Sequence, residues 1–169
     1  MNRTLLALPL AAVLVVTAVT MALAPAYASI GKAKGNPNFD ITSVSGNTMT
    51  VAGTAGGTTP NDQRHVFAYV FVQSTPCGAD LCAYAVTSHA LEDSGQVGND
   101  LTWHTHYVEV TGGCVTAISD AGTQPTLVGN TVTLNGLSSS TAAGVTAVLN
   151  IETDTGAVCI QTVLDFQPA

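Results

Sequence analysis

"RHVFAYVFVQS", residues 64–74, is the most hydrophobic run downstream of the N-terminal region, and all but one of its apolar side chains are β-branched or aromatic. Such side chains lose rotamer freedom in a helix and pack well on a pleated surface. The run does not alternate between apolar and polar, so both of its faces are apolar. That predicts a central strand buried on two sides.

Working outward, "CAYAVTSHA" (82–90) follows a short tip, "EDSGQVGND" (92–100) reads as a polar turn, and "LTWHTHYVEVT" (101–111) returns from it. Upstream, "FDITSV" and "TMTVAGTA" flank Ser45-Gly46-Asn47, a hairpin signature in which Gly and Asn accept positive φ. "GGTTPNDQ" (56–63) reads as a loop. Downstream come "GCVTAISDA", a loop containing Pro125, "TLV", a turn at Gly129-Asn130, and "TVTL" closed by Asn135-Gly136. "SSSTAAG" (138–144) has the composition of a loose connection. "VTAVLNIET" and "AVCIQTVLDF" form a last hairpin across Asp154-Thr155-Gly156. About nine or ten short strands, with turn signals between them and no amphipathic helix, predict an all-β fold. The expected architecture is a two-sheet β-sandwich, immunoglobulin-like or related.

The chain opens with one arginine, Arg3, then a long apolar run ending in Ala26-Tyr27-Ala28. A charged start, an apolar stretch and a small-x-small site predict a secretory signal peptide over residues 1–28, cut after Ala28. An uncleaved anchor is the alternative, because residues 5–24 are about long enough to span a bilayer. In that case the segment would be the only membrane contact. Residues 29–38 read as a flexible lead-in and residues 39–169 as a single domain, which leaves about 140 exported residues, enough for one core.

The exported part has three basic residues, Lys32, Lys34 and Arg64, against eleven acidic ones. Binding phosphate requires cations that replace its counterions, so this balance excludes nucleic acid as a partner. The expected partner is a protein or another cell-surface component. Solubility comes from hydroxyls rather than charge.

Cys77, Cys82, Cys114 and Cys159 all lie in the exported part. An even number in an oxidising compartment predicts two disulfides, with three connectivities open. Cys77 and Cys82 bracket a loop tip, which suits a local bridge. Cys114 and Cys159 sit in separate strand-like runs, which suits a bridge between distant strands. Thiolate zinc binding is the rival, but no second close cysteine pair completes a four-ligand site.

The chemistry-bearing residues cluster. All four histidines fall between residues 65 and 106. In a strand, His104 and His106 point to one face with their Cα atoms about 7 Å apart. If residues 82–90 pair with 101–111 around a turn centred near Gln96, His89 lands opposite or beside His104 on that face. Three imidazoles there would make a mononuclear copper or zinc site. A one-residue slip would instead put His89 beside Trp103. His65 is an outside candidate: a preceding hairpin turning near Ala79 and Asp80 would leave it well along the strand from His89. The bland alternative, commoner for strand histidines, has the imidazoles packing at the sandwich rim and bonding to backbone or to Glu92, Asp93 or Asp100. Val108 and Val110 continue their face, and Trp103 and Tyr107 on the other face read as packing residues.

No catalytic residue is assigned. Copper–zinc superoxide dismutases build their two-metal site from more histidines than the four present here, and a cupredoxin needs a histidine following its cysteine, which Cys159 lacks. No Gly-x-Ser-x-Gly elbow occurs. The stretch "HALEDSGQVGNDLTWHTHYVEVTGGCV" resembles one in small exported proteins of ammonia-oxidising archaea. The resemblance implies a cell-envelope setting, carries no activity, and draws His89, Asp93, Trp103, His104, His106 and Cys114 together as one unit. The leading expectation is a secreted, non-enzymatic binding or interaction protein whose only candidate cofactor is copper or zinc. A metalloenzyme using the same histidines and an adhesion or surface-layer subunit are the alternatives.

Overall fold

The structure, a computed structural model, describes residues 36–57, 65–89, 102–137, 141–152 and 155–169. The signal segment, most of the lead-in, Arg64 and the acidic turn carrying Glu92, Asp93 and Asp100 lie outside the described residues. Among those described there are ten strands and no helix: β1 (Ile41–Ser45), β2 (Thr48–Val51), β3 (His65–Gln73), β4 (Leu81–Ser88), β5 (His104–Thr111), β6 (Cys114–Asp120), β7 (Pro125–Val128), β8 (Thr131–Leu134), β9 (Thr141–Ile151) and β10 (Val158–Pro168). No helix here is long and apolar enough to cross a membrane.

The expected two-layer β arrangement is present. One sheet has the order β1-β2-β8-β7; the other, β10-β6-β5-β4-β3-β9, curls until its ends meet. That closure is narrow. β10 meets β6 at the single pair Cys159–Cys114, with Ile160 N–H donating to the Gly113 carbonyl at 2.9 Å. Irregularities between Ile160 and Thr162 and between Val163 and Asp165 help β10 bend across to it, as bulges do. Both expected disulfides form, Cys77–Cys82 at the tip before β4 and Cys114–Cys159 across the seam.

Curling gives the protein two cores. β3 shows why its sequence lacks alternation. Val66, Ala68 and Val72 face the inside of the curled sheet, while Tyr69 and Phe71 face the four-stranded sheet. The interior is lined by small aliphatics, among them Ala83, Ala85, Val145 and Ala147. The layer between the sheets is heavier, with Phe39, Met49, Val51, Val132 and Leu134 meeting the two aromatics of β3. Tyr69 stacks on Phe39 at 5.1 Å and meets Trp103 at 5.2 Å. Its hydroxyl donates to the Asn38 carbonyl at 2.8 Å and accepts from Gly56 N–H at 3.0 Å. Burial pushes this phenol up to about 12.

Two expectations need correction. The loose connection over 138–144 is strand from Thr141 onward. Its glycine is there for closeness: a Cβ on Gly144 would lie 2.5 Å from Val44 Cγ2 and 2.8 Å from Met49 Cε, so the small sheet rests directly on the β9 backbone. Pro125, expected in a loop, opens the edge strand β7, where its missing N–H is tolerated. At the other end of the chain, the last residues of the lead-in are tied down, with Asn38 Oδ1 accepting from Thr54 N–H at 2.9 Å.

Acidic side chains are bonded to backbone. Asp165 accepts from Ile41 N–H at 2.7 Å and Phe166 N–H at 2.8 Å, and Asp80 from Gly112 N–H at 2.9 Å.

Candidate metal centre

β4 and β5 pair with Thr87 opposite His104 and Ala85 opposite His106. Of the two registers the sequence leaves open, this is the one that puts residue 89 on the His104 face rather than beside Trp103. His89, two residues beyond Thr87, shares its face and sits diagonally from His104. All three histidines point toward the interior of the curled sheet, at one end. His89 is 8% exposed and the other two are half-buried.

The imidazoles converge. His89 and His104 ring centres lie 4.7 Å apart, His104 and His106 4.7 Å, and His89 and His106 6.0 Å. One ring nitrogen from each falls within 4.8 Å of the others, so the group can hold a metal ion. His104 Nδ1 lies 2.8 Å from the Thr102 carbonyl. A carbonyl only accepts, so Nδ1 carries the proton and Nε2 of the neutral ring keeps a lone pair. Anchoring the far nitrogen on backbone is what orients an imidazole for coordination.

That lone pair faces His89. The two Nε2 atoms are 3.1 Å apart, with Thr87 Oγ1 3.5 Å from His104 Nε2. Two nitrogens each about 2.0–2.1 Å from one tetrahedral ion stand about 3.3–3.4 Å apart. The His89–His104 pair is thus close to the spacing a shared ion needs, and His106 brings a third ring nitrogen within 4.8 Å of both. Without an ion, that His104 lone pair accepts a hydrogen bond from His89 Nε2–H. This contact also belongs to the rim-packing alternative, which the Thr102 and Thr87 contacts partly realise.

The other sequence candidates separate from this group. Trp103 packs on the opposite face, against Tyr69. Cys114 is in a disulfide, as are all the cysteines, so no thiolate is on offer. His65 is excluded for a reason other than distance. Phe67 pairs with Ser88 and Val72 with Ala83, so the hairpin turns near Cys77 and Gly78 rather than Ala79 and Asp80. His65 alternates with Val66 and so lies on the outer face of the curled sheet, paired with Asn150 and apart from the group. Tyr107 sits on that outer face of β5, 5.3 Å from Tyr84; its phenol is raised by burial, then by Glu109 and Tyr84.

The sequence reading missed the space behind the histidines. His89 and His106 line a cavity of about 70 Å³ whose other walls include Val66, Thr87 and Leu149. A second of about 40 Å³ continues deeper and is wholly apolar; Ala85, Val108, Val115 and Leu149 line both. Comparison with protein-family models, with curated proteins and with solved structures gives no match to this chain.

Proposed function

We propose that this chain is an exported binding protein of the cell envelope that holds one copper or zinc ion on His89, His104 and His106. The observation that carries the reading is the convergence of three ring nitrogens within 4.8 Å, one of them fixed by its backbone bond as a lone-pair donor. Neutral imidazoles without thiolates suit copper or zinc and are poor ligands for calcium or magnesium. Among the described residues no carboxylate joins the group, which favours holding an ion over hydrolysis. The two disulfides fit an oxidising compartment, in keeping with the signal-like N-terminus and the envelope resemblance. Self-association through a sheet edge has less support, since β7 is four residues long and begins with proline, features that blunt an edge.

The test is elemental analysis of the mature, disulfide-bonded protein after dialysis against trace copper and zinc. One ion per chain is expected, and none in His104→Ala/His106→Ala. Saturation at a hundredfold over Kd should stabilise the wild type by about 2.7 kcal/mol and leave the variant unmoved. Equal metal content in the two proteins would refute the site.

A further inference from the structure

We infer that the metal's exchangeable ligand is a small uncharged molecule, of two or three heavy atoms, held in the apolar interior of the curled sheet. This rests on the trihistidine reading above and specifies what that site takes. Two observations point to it. His89 and His106 form part of the wall of the 70 Å³ cavity, so an ion between them faces this space. Behind it lies the 40 Å³ cavity, which shares Ala85, Val108, Val115 and Leu149 with the first and adds no polar side chain.

Size and polarity select the ligand class. A cavity of about 150 Å³ accepts benzene. The two spaces here, even taken together, fall below that, so they cannot enclose an aromatic or a metabolite. A diatomic or triatomic molecule fits. Among the described residues of the lining, Thr87 supplies the only side-chain polar group apart from the histidines, and none is charged. An anion entering would lose its hydration with only the metal to compensate, and burying a charge in this way is strongly unfavourable. A neutral ligand has no such penalty. Three imidazoles leave a coordination position open, and the lumen is where a ligand would fill it.

Carbon monoxide on copper(I) is the probe. The full mature protein is loaded anaerobically with one equivalent of copper(I), its copper content is measured, and the C–O stretch is followed by infrared as carbon monoxide is added. A single band saturating at one carbon monoxide per copper is expected. Val115→Phe, which fills the shared wall of both cavities away from the histidines, should keep its copper and weaken carbon monoxide binding by about tenfold or more. Xenon, an occupant of dry apolar cavities, should compete with carbon monoxide in the wild type, and this readout stands even if Val115→Phe does not fold. Copper held without a band, or binding indifferent to both xenon and Val115→Phe, overturns the lumen inference alone. Failure to retain copper overturns the metal reading beneath it.

Discussion

Replacing Cys114 and Cys159 together by alanine tests how much the curled sheet depends on its seam. The bridge joins residues 45 apart in sequence, whereas Cys77 and Cys82 are 5 apart. Chain-entropy reasoning assigns about 4 kcal/mol to closing the longer loop and about 2 kcal/mol to the shorter. The longer bridge also stands at the only register pair between β10 and β6, so its loss leaves that junction to little more than the Ile160–Gly113 hydrogen bond. Urea unfolding of the Cys114→Ala/Cys159→Ala and Cys77→Ala/Cys82→Ala proteins, followed by tryptophan fluorescence, measures both. The first should lose about 4 kcal/mol or more and the second about half of that. Metal content should survive in the first variant, because β4 and β5, which hold the histidines, pair independently of the seam. Equal losses in the two variants, or a seam variant as stable as wild type, would refute the claim that this bridge closes the sheet.

Two further outcomes are expected. Gly144→Ala forces a methyl against Val44 and Met49 and should destabilise by about 1–3 kcal/mol; in a double-mutant cycle Val44→Ala should recover part of that loss, and strict additivity would show that the close approach is not what matters. Tyr69→Phe removes the hydroxyl shared by Asn38 and Gly56 and should cost about 1–3 kcal/mol at neutral pH. Because the folded phenol is raised to about 12, its contribution is intact below about pH 10 and fades as pH rises toward 12. Denaturation at pH 9 and pH 11 should therefore show the wild type losing more stability than Tyr69→Phe, and parallel losses would contradict this.

The histidine group was legible because its geometry is local. The two-residue period of a strand places His104 and His106 on one face, the turn leaves two registers open for His89, and the pairing of β4 with β5 is the one that adds it. The two-sided burial of β3 was legible for a similar reason: its unbroken apolar run has no polar face to offer. Period alone did not reveal where those faces lead. That the sheet curls on itself depends on bulges in β10 and on a contact between residues far apart in sequence, Cys114 and Cys159. The lumen and its cavities follow from that closure and left no local mark. Thr87 could have been found, since it shares a strand face with His89. The start of β9 is not legible because residues 138–144 have loop-like composition, although Gly144 is small to let the other sheet approach and Ala143 packs inside the curled sheet.

The histidine hairpin also bears on the order in which the protein takes shape. His89, His104 and His106 lie on neighbouring strands joined by a short stretch of chain, whereas the sheet cannot close until Cys159, near the C-terminus, reaches Cys114. Contacts of short sequence separation form ahead of those that must first close a long loop. A folding chain would present its imidazoles as a grip before it had an interior, and an ion caught then would be enclosed as β10 arrived. Ion capture would in that case be an event of maturation, with the last strand acting as the latch.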